Sequence, residues 1–140
     1  MMKSKSIQLF GIALLLVWLA ACGGTKGNDA TSQESAGDAA EGKSLFYQAT
    51  IGDGDAPGCV TCHSLELDVV IVGPSQAGLA TRAGTRVPNQ SAEEYIRNSI
   101  IEPNAYIVDG FAEGGMYQNY ATDLSAEQID DLVAFALTLK

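Results

Sequence analysis

The sequence has very few residues that bind transition metals: one histidine and three cysteines among 140 residues. No internal repeat and no strand-like alternation of apolar residues is visible, and the length suits one globular domain. Any metal chemistry must therefore be assigned to a handful of side chains, and this scarcity limits the choices.

Basic residues are also scarce. Lys and Arg number 8 against 17 Asp and Glu, and the formal net charge is −9. Binding to phosphates needs clustered Lys and Arg, so this composition argues against a nucleic-acid-binding protein. Protein partners of such a chain are expected to present basic surfaces.

The sequence lacks an apolar run long enough to span a membrane. The longest, Ile7 to Leu19, has 13 residues, whereas a transmembrane helix needs about 20. Lys3 and Lys5 precede it and small residues follow it, which is typical of a secretory signal. We therefore predict that residues 1–21 are a signal peptide and that the protein is exported.

Cys22 follows Leu19-Ala20-Ala21, and this sequence resembles the bacterial lipoprotein box. The resemblance implies that Cys22 is lipidated and anchors the protein to the periplasmic or extracytoplasmic face of a bacterial membrane. The alternative is an ordinary signal peptide cleaved nearby, with Cys22 incidental.

Small polar residues without apolar periodicity follow the cysteine. Residues 22–40 are predicted to be the lipidated N-terminus and a flexible linker, and residues 41–140 the globular domain.

Three segments have helical patterns: residues 40–50, 91–101 and 125–139. Ser91 with Glu94 and Ser125 with Gln128 have the spacing of capping boxes. Residues 51–58 and most of 102–124 are rich in turn-forming residues and are predicted to be loops. The fold class is therefore all-α, with three or more short helices and long loops.

Such a domain has too few helices to bury a large core, and long structureless loops are unusual in compact domains. A large, mostly apolar prosthetic group at the centre, wrapped by the loops, would resolve this.

Cys59-Val60-Thr61-Cys62-His63 is a Cys-x-x-Cys-His motif, the haem c attachment sequence. Two thiols at this spacing can form thioether bonds to the two vinyl groups of one haem, and the histidine is placed to bind the iron. One covalent haem c is therefore predicted.

Three other interpretations of the motif are weaker. A thioredoxin-like redox pair would need a βαβ pattern nearby. A structural zinc site needs four ligands, and the chain offers only His63 beyond Cys59 and Cys62 if Cys22 is lipidated. A disulfide between Cys59 and Cys62 leaves the histidine unexplained.

The opposite iron position has one candidate. A second histidine is absent, and Met116 is the only methionine besides Met1 and Met2. It lies in a glycine-rich segment, and a thioether favours ferrous iron and raises the reduction potential. The alternative is that Met116 only fills the core.

Residues 41–140 resemble a class I c-type cytochrome of the small bacterial single-haem type. Gly42 and Phe46 resemble the family's N-terminal helix, and Leu132 and Phe135 its C-terminal helix. The resemblance implies that these two helices cross near a right angle, with the glycine allowing close contact.

The resemblance also implies roles around the iron. His63 and Met116 match the two axial ligands, and Pro74, in Gly73-Pro74, matches the proline whose carbonyl accepts a hydrogen bond from the axial histidine. Two departures are a long loop from Tyr47 to Gly58 and Tyr117, which follows Met116 where proline is common.

Other side chains have two interpretations. Arg82, Arg86 and Arg97 are candidates for pairing with haem propionates or are solvated surface charges. The tyrosines are expected mostly to fill the core, although they can also line a haem pocket; they are Tyr95, Tyr106, Tyr117 and Tyr120.

The predicted function is that of an electron carrier, not an enzyme, in a respiratory or photosynthetic chain. The segment Tyr95 to Gly110 also resembles cytochrome domains of respiratory oxidases and the lipoprotein cytochrome subunit of alternative complex III, so a tethered shuttle and a fixed complex subunit both remain open. The alternative function is a haem enzyme or gas sensor with an open or displaceable distal site.

Overall fold

The structure, a computed structural model, describes residues 37–54 and 56–140. These residues form five helices and one short antiparallel hairpin. They are α1 (Ala39–Tyr47), β1 (Thr50–Ile51), β2 (Ala56–Pro57), α2 (Leu79–Ala83), α3 (Ala92–Ile101), α4 (Tyr120–Asp123) and α5 (Ala126–Ala136). The all-α prediction is confirmed. Within the described part, no helix has the length and apolar character needed to cross a membrane.

The predicted signal peptide, Cys22 and almost all of the predicted linker lie outside the described residues. Their assignments stay predictions.

Helices α1 and α5 pack against each other, as the resemblance implied. A Cβ atom added to Gly42 would lie 1.8 Å from the carbonyl oxygen of Asp131, so only glycine permits this approach. The rings of Phe46 and Phe135 meet edge to face at a centroid distance of 5.4 Å. The Asp38 N–H donates to the carboxylate of Asp131 (2.6 Å), which joins the start of α1 to α5.

Both predicted capping boxes are present. The Ser91 hydroxyl accepts from the Glu94 N–H at the start of α3, and Ser125 does the same for Gln128 at the start of α5. These serines satisfy backbone N–H groups that the first helical turn leaves unpaired. Helix α5 ends at Ala136, earlier than predicted, and the chain continues in single hydrogen-bonded turns.

Sequence patterns did not predict the hairpin, α2 or α4. Strands β1 and β2 pair only Thr50 with Pro57 and Ile51 with Ala56, which is too short to produce an alternation. Neither α2 nor α4 has a side-chain cap, and α4 is a single turn of four residues. Residues 51–58 and 102–124 therefore contain short elements within the predicted loops.

The buried apolar side chains surround the α1–α5 contact and extend to α3 and α4. They are Phe46, Ile51, Ala56, Ala83, Tyr95, Ile96, Tyr120, Leu124, Ile129, Leu132, Val133 and Phe135. Among the described residues, no large side chain is completely enclosed. This is the incomplete core expected of a domain that folds around an additional apolar group.

Candidate functional site

A cavity of about 450 Å³ lies within the domain. Its walls come from all five helices, from the turn after β2, and from two loops, residues 72–76 and 103–117. Most of the lining is apolar, with Ile96, Ile100, Leu132 and Ala136 contributed by the helices. The volume lies in the range of pockets that bind small molecules and cofactors.

A tight turn presents the two thiols of the motif to this cavity. Residues Cys59–Thr61 form a 3-10 turn, and the carbonyl oxygen of Cys59 accepts from the N–H groups of both Cys62 (3.1 Å) and His63 (2.9 Å). Gly58 starts the turn against the carbonyl oxygen of Gln48, where a Cβ atom would lie 1.7 Å away. The local sequence thereby brings both cysteines and the histidine to one wall.

Both cysteines are free thiols, so the disulfide interpretation does not describe this structure. Burial raises the pKa of the Cys59 thiol to about 11. Redox-active Cys-x-x-Cys pairs need a lowered thiol pKa, and the burial of Cys59 acts in the opposite direction.

His63 is oriented by the loop that follows it. Its Nδ1 lies 2.8 Å from the carbonyl oxygen of Pro74, and because a carbonyl only accepts, Nδ1 carries the hydrogen. Nε2 is then the nitrogen left for a ligand. Burial lowers the pKa of the imidazole and favours its neutral form, the form that binds metals.

Gly73 packs directly on the imidazole of His63. A Cβ atom there would lie 2.4 Å from Cε1, and the N–H groups of Val72 and Gly73 both donate to the carbonyl oxygen of Cys62 (3.1 and 2.9 Å). The amide of Gln76 also lies 2.9 Å from Nδ1, a contact that sequence patterns did not predict.

Met116 lies half-buried in the cavity lining that also includes His63. Side-chain amides support its segment. Asn104 donates to Gln118 (2.7 Å) and accepts from the Gly114 N–H (2.9 Å), while Gln118 also donates to the carbonyl oxygen of Met116 (2.6 Å). The structure thus brings the single described methionine and the single histidine to one cavity.

Two of the three candidate arginines line the cavity, Arg82 and Arg86. The guanidinium of Arg82 also donates to the carbonyl oxygens of Ser75 and Ala77, and burial together with nearby Arg86 lowers its pKa. Arg97 is not in the lining. It pairs with Asp130 at 2.6 Å, between α3 and α5.

All four candidate tyrosines line the cavity, although core packing was the main expectation for them. Tyr120 donates to the carbonyl oxygen of Pro57 (2.5 Å), and Tyr117 to the carboxylate of Asp123 (2.5 Å). Burial raises the pKa of Tyr120, so its phenol stays protonated. The rings therefore shape the cavity and tie its walls together.

The donor set fits a large iron-containing prosthetic group better than a bare ion. Within residues 37–54 and 56–140, no three His, Cys, Asp or Glu side chains converge as a metal site, so structural zinc is not supported. Two thiols, one imidazole and one thioether instead border a mainly apolar space much larger than an ion needs. Cys, His and Met are the residues that hold haem c.

The match to a family model points the same way. Residues 39–140 match the family model described as "Cytochrome c". One matching solved structure, the crystal structure of SoxXA from P. pantotrophus, is 26% identical, with coverage of 76% of this chain and 84% of that chain and a TM-score of 0.44. No protein with a curated description matches at a significant level.

Proposed function

Because the chain belongs to the cytochrome c family over residues 39–140, we propose that Cys59 and Cys62 would carry its covalent haem c and that His63 and Met116 would be the iron ligands. The chain is accordingly a haem c electron-transfer protein. The observation that carries the residue assignment is the shared cavity, which both cysteines, His63 and Met116 border.

The chemistry supplied by the bound haem is a one-electron change between ferric and ferrous iron. Pro74 accepts from Nδ1 and keeps the imidazole of His63 in one orientation, with Nε2 available to the iron. Met116 would supply a soft sulfur ligand. If His63 and Met116 both held the iron, no position would be left for a substrate, which favours electron transfer over catalysis.

The proposal extends to where the protein works. A lipid on Cys22 would hold the domain at the extracytoplasmic face of a bacterial membrane, as a shuttle or as a complex subunit of a respiratory or photosynthetic chain. The acidic balance of the sequence, a net charge of −9, favours redox partners with basic docking surfaces.

The decisive experiment is an absorption spectrum of the protein produced with a haem-attachment system. We expect sharp low-spin bands after reduction and a weak far-red band in the oxidised form, the signature of methionine ligation. Met116→Ala should abolish the far-red band, whereas Met116→His should restore a low-spin spectrum without it.

Two results would contradict the assignment. A high-spin spectrum, together with binding of carbon monoxide to the reduced protein at neutral pH, would favour the haem enzyme or gas sensor, because the distal position would then be open. Attachment of haem to a Cys59→Ser/Cys62→Ser variant would remove the proposed role of the cysteines.

Tethering is tested separately. Cys22→Ser should move the protein from the membrane fraction to the soluble exported fraction, and mass spectrometry of the wild-type protein should find acyl chains on Cys22. Unchanged membrane association of this variant, with no acyl mass, would refute the lipid anchor.

A further inference from the structure

Most of the exposed large apolar side chains among the described residues lie in one short segment. They are Leu67, Val69, Val70, Ile71 and Val72. Outside this segment, only Tyr47 and Tyr106 are comparably exposed within residues 37–54 and 56–140. Leu67 is 74% exposed, Val70 59% and Ile71 53%. Val72 also lines the cavity, so part of its surface faces the space proposed for the haem. We call residues 65–72 the apolar loop. Soluble proteins rarely gather such side chains on their surface unless a partner covers them.

The backbone of the apolar loop is held by hydrogen bonds. The Val69 N–H donates to the carbonyl oxygen of Glu66 (3.3 Å), and the Val72 N–H donates to that of Cys62 (3.1 Å). Asp68 has φ +59, a conformation that non-glycine residues rarely adopt. The exposed side chains therefore stand on a preformed surface, and binding to it requires little ordering.

The apolar loop lies next to the site through which electrons pass. Val70 pairs with His63 in an isolated β-bridge, and Val72 lines the cavity. A protein that covers the loop contacts the wall carrying the proposed axial histidine.

From this position and its charge, we propose that the apolar loop is the docking surface for a redox protein that has an apolar centre rimmed by basic side chains. This rests on the proposed electron-transfer function. The charge follows from Glu66 and Asp68, which lie exposed within the loop, and from the acidic balance of the whole sequence.

Other occupants fit less well. In a symmetric pair of copies, the carboxylates of Glu66 and Asp68 would face each other, and like charges oppose such contacts. An anionic lipid surface would repel the same carboxylates. Residues 22–36 contain no large apolar side chain that could cover the loop.

The test compares Val70→Ser/Ile71→Ser with the wild-type full chain in detergent. The probe is oxidised basic mitochondrial cytochrome c, mixed in stopped flow with the reduced protein. The variant should react about tenfold more slowly, the effect of losing about 1.4 kcal/mol of apolar contact. Its rate with a small cationic cobalt complex should be unchanged. Tyr47→Ser, which removes an exposed ring elsewhere, is the matched control.

A wild-type rate for the double variant would overturn the proposal. The proposal would also be overturned if the wild-type protein sediments as a dimer and the double variant does not. The same holds if the wild-type protein binds phosphatidylglycerol vesicles and the double variant does not. Valine methyl NMR shifts on adding the same probe report docking without electron transfer. If the probe causes these shifts but the protein transfers no electrons to it, the proposed electron-transfer function fails and the docking surface is still supported.

A separate observation concerns the Nδ1 atom of His63. It lies 2.8 Å from the carbonyl oxygen of Pro74 and 2.9 Å from the amide nitrogen Nε2 of Gln76. Nδ1 carries one hydrogen, because the Pro74 carbonyl can only accept. An amide NH₂ group cannot donate to a nitrogen that already carries this hydrogen. The contact is favourable only when the amide oxygen of Gln76 faces Nδ1, and a flip of the amide achieves this.

The geometry points to Gln76 as a positioning residue that shares the Nδ1–H hydrogen with Pro74. Two acceptors on Nδ1–H make the imidazole a stronger electron donor at Nε2. A stronger donor stabilises ferric iron and lowers the reduction potential. This inference rests on the proposed axial role of His63.

The test is a variant series with potential as its first readout. Gln76→Leu removes the acceptor and should raise the midpoint potential, whereas Gln76→Glu supplies a stronger acceptor and should lower it. Gln48→Leu is the control, because this exposed glutamine lies outside the cavity lining. Shifts of the same sign in both Gln76 variants, or shifts no larger than that of the control, would overturn the inference.

The single histidine gives a second readout. In protein labelled with ¹⁵N-histidine, the NMR signal of Nδ1–H should change across the Gln76 series, while the Nε2 signal should report iron coordination throughout. If Nε2 is uncoordinated in every variant, the axial assignment fails. If Nε2 is coordinated and Nδ1–H is unchanged, only the role of Gln76 fails.

Discussion

The two walls of the cavity are built by opposite means. The His63 wall, residues 59–76, is tied to itself mainly by backbone hydrogen bonds, including two N–H groups that donate to the Cys62 carbonyl oxygen. The Met116 wall, residues 103–119, depends on exposed side-chain amides, above all Asn104 and Gln118.

This difference predicts which wall unfolds locally first. Exposed hydrogen bonds between flexible side chains compete with water and contribute little net stability, whereas a hydrogen-bonded backbone loosens only when a longer segment unfolds. We therefore expect the Met116 wall to open at a lower free energy than the His63 wall. The protein would then lose the proposed methionine ligation before the proposed histidine ligation.

The largest expected contrast comes from placing the same methyl group in each wall. In Gly73→Ala, the Cβ atom would lie 2.4 Å from the His63 ring, and such overpacking costs about 1–3 kcal/mol. The yield of haem-loaded protein should fall as well. In Gly114→Ala, nothing lies within 4 Å, and only the φ of +73 opposes the change, at about 1–2 kcal/mol.

Denaturant unfolding of the haem-loaded variants, with the far-red band and the reduced low-spin spectrum followed in parallel, checks this pair. Gly73→Ala should disturb the histidine side, whereas Gly114→Ala should disturb only the methionine band. Identical spectra and stabilities for the two variants would show that the walls are equally tolerant.

A smaller contrast comes from two side chains that each make two hydrogen bonds. The side chain of Asn104 is hydrogen-bonded to Gln118 and to the Gly114 N–H. The hydroxyl of Ser75 is hydrogen-bonded to the Glu66 carbonyl oxygen and to the Ala77 N–H. Asn104→Ala should weaken the Met116 wall by about 1 kcal/mol and make the far-red band disappear at a lower temperature. Ser75→Ala should leave the band unchanged, since backbone bonds still hold its wall.

Thermal melts followed at the far-red band and by far-ultraviolet circular dichroism separate local from global loss. If the far-red band disappears at a lower temperature in Ser75→Ala than in Asn104→Ala, the proposal that the Met116 wall opens before the His63 wall is wrong.

The smallest expected effect lies outside both walls, at the start of α3. Hydrogen bonds from the backbone N–H and then the hydroxyl of Ser91 lower the pKa of Glu94. A lowered pKa means that the carboxylate stabilises the fold above its ordinary pKa, and that this contribution is lost as the pH falls through the lowered value.

Glu94→Gln should therefore melt slightly below the wild-type protein at neutral pH and together with it in acid, with the far-red band intact at both. A melting difference that grows in acid would contradict the direction of this pKa shift.

The sequence predicted the parts of the fold whose determinants are local. Ser91 and Ser125 identify helix starts through spacing alone, and the motif at Cys59, Cys62 and His63 predicts one wall of the site. The close approach at Gly42 was predicted by resemblance, because a glycine in a helix does not by itself say what it touches.

Features that depend on distant contacts were not predicted. Helix α4 is one turn without a side-chain cap. The contact between Gln76 and His63 is visible only in the structure, because a hydrogen bond between residues 64 and 76 brings the amide of Gln76 to the imidazole. No sequence pattern predicted that the valines after residue 68 lie exposed, because their exposure depends on the fold.

The contact between Asp38 and Asp131 also bears on the order in which the domain is assembled. It joins residues 93 positions apart, whereas the hydrogen bonds inside the turn at Cys59 join residues three or four positions apart. Local contacts form faster than distant ones. We therefore expect the two thiols to take their spacing while the helices that close the cavity are still apart, and to remain accessible to chemical attachment until α5 meets α1.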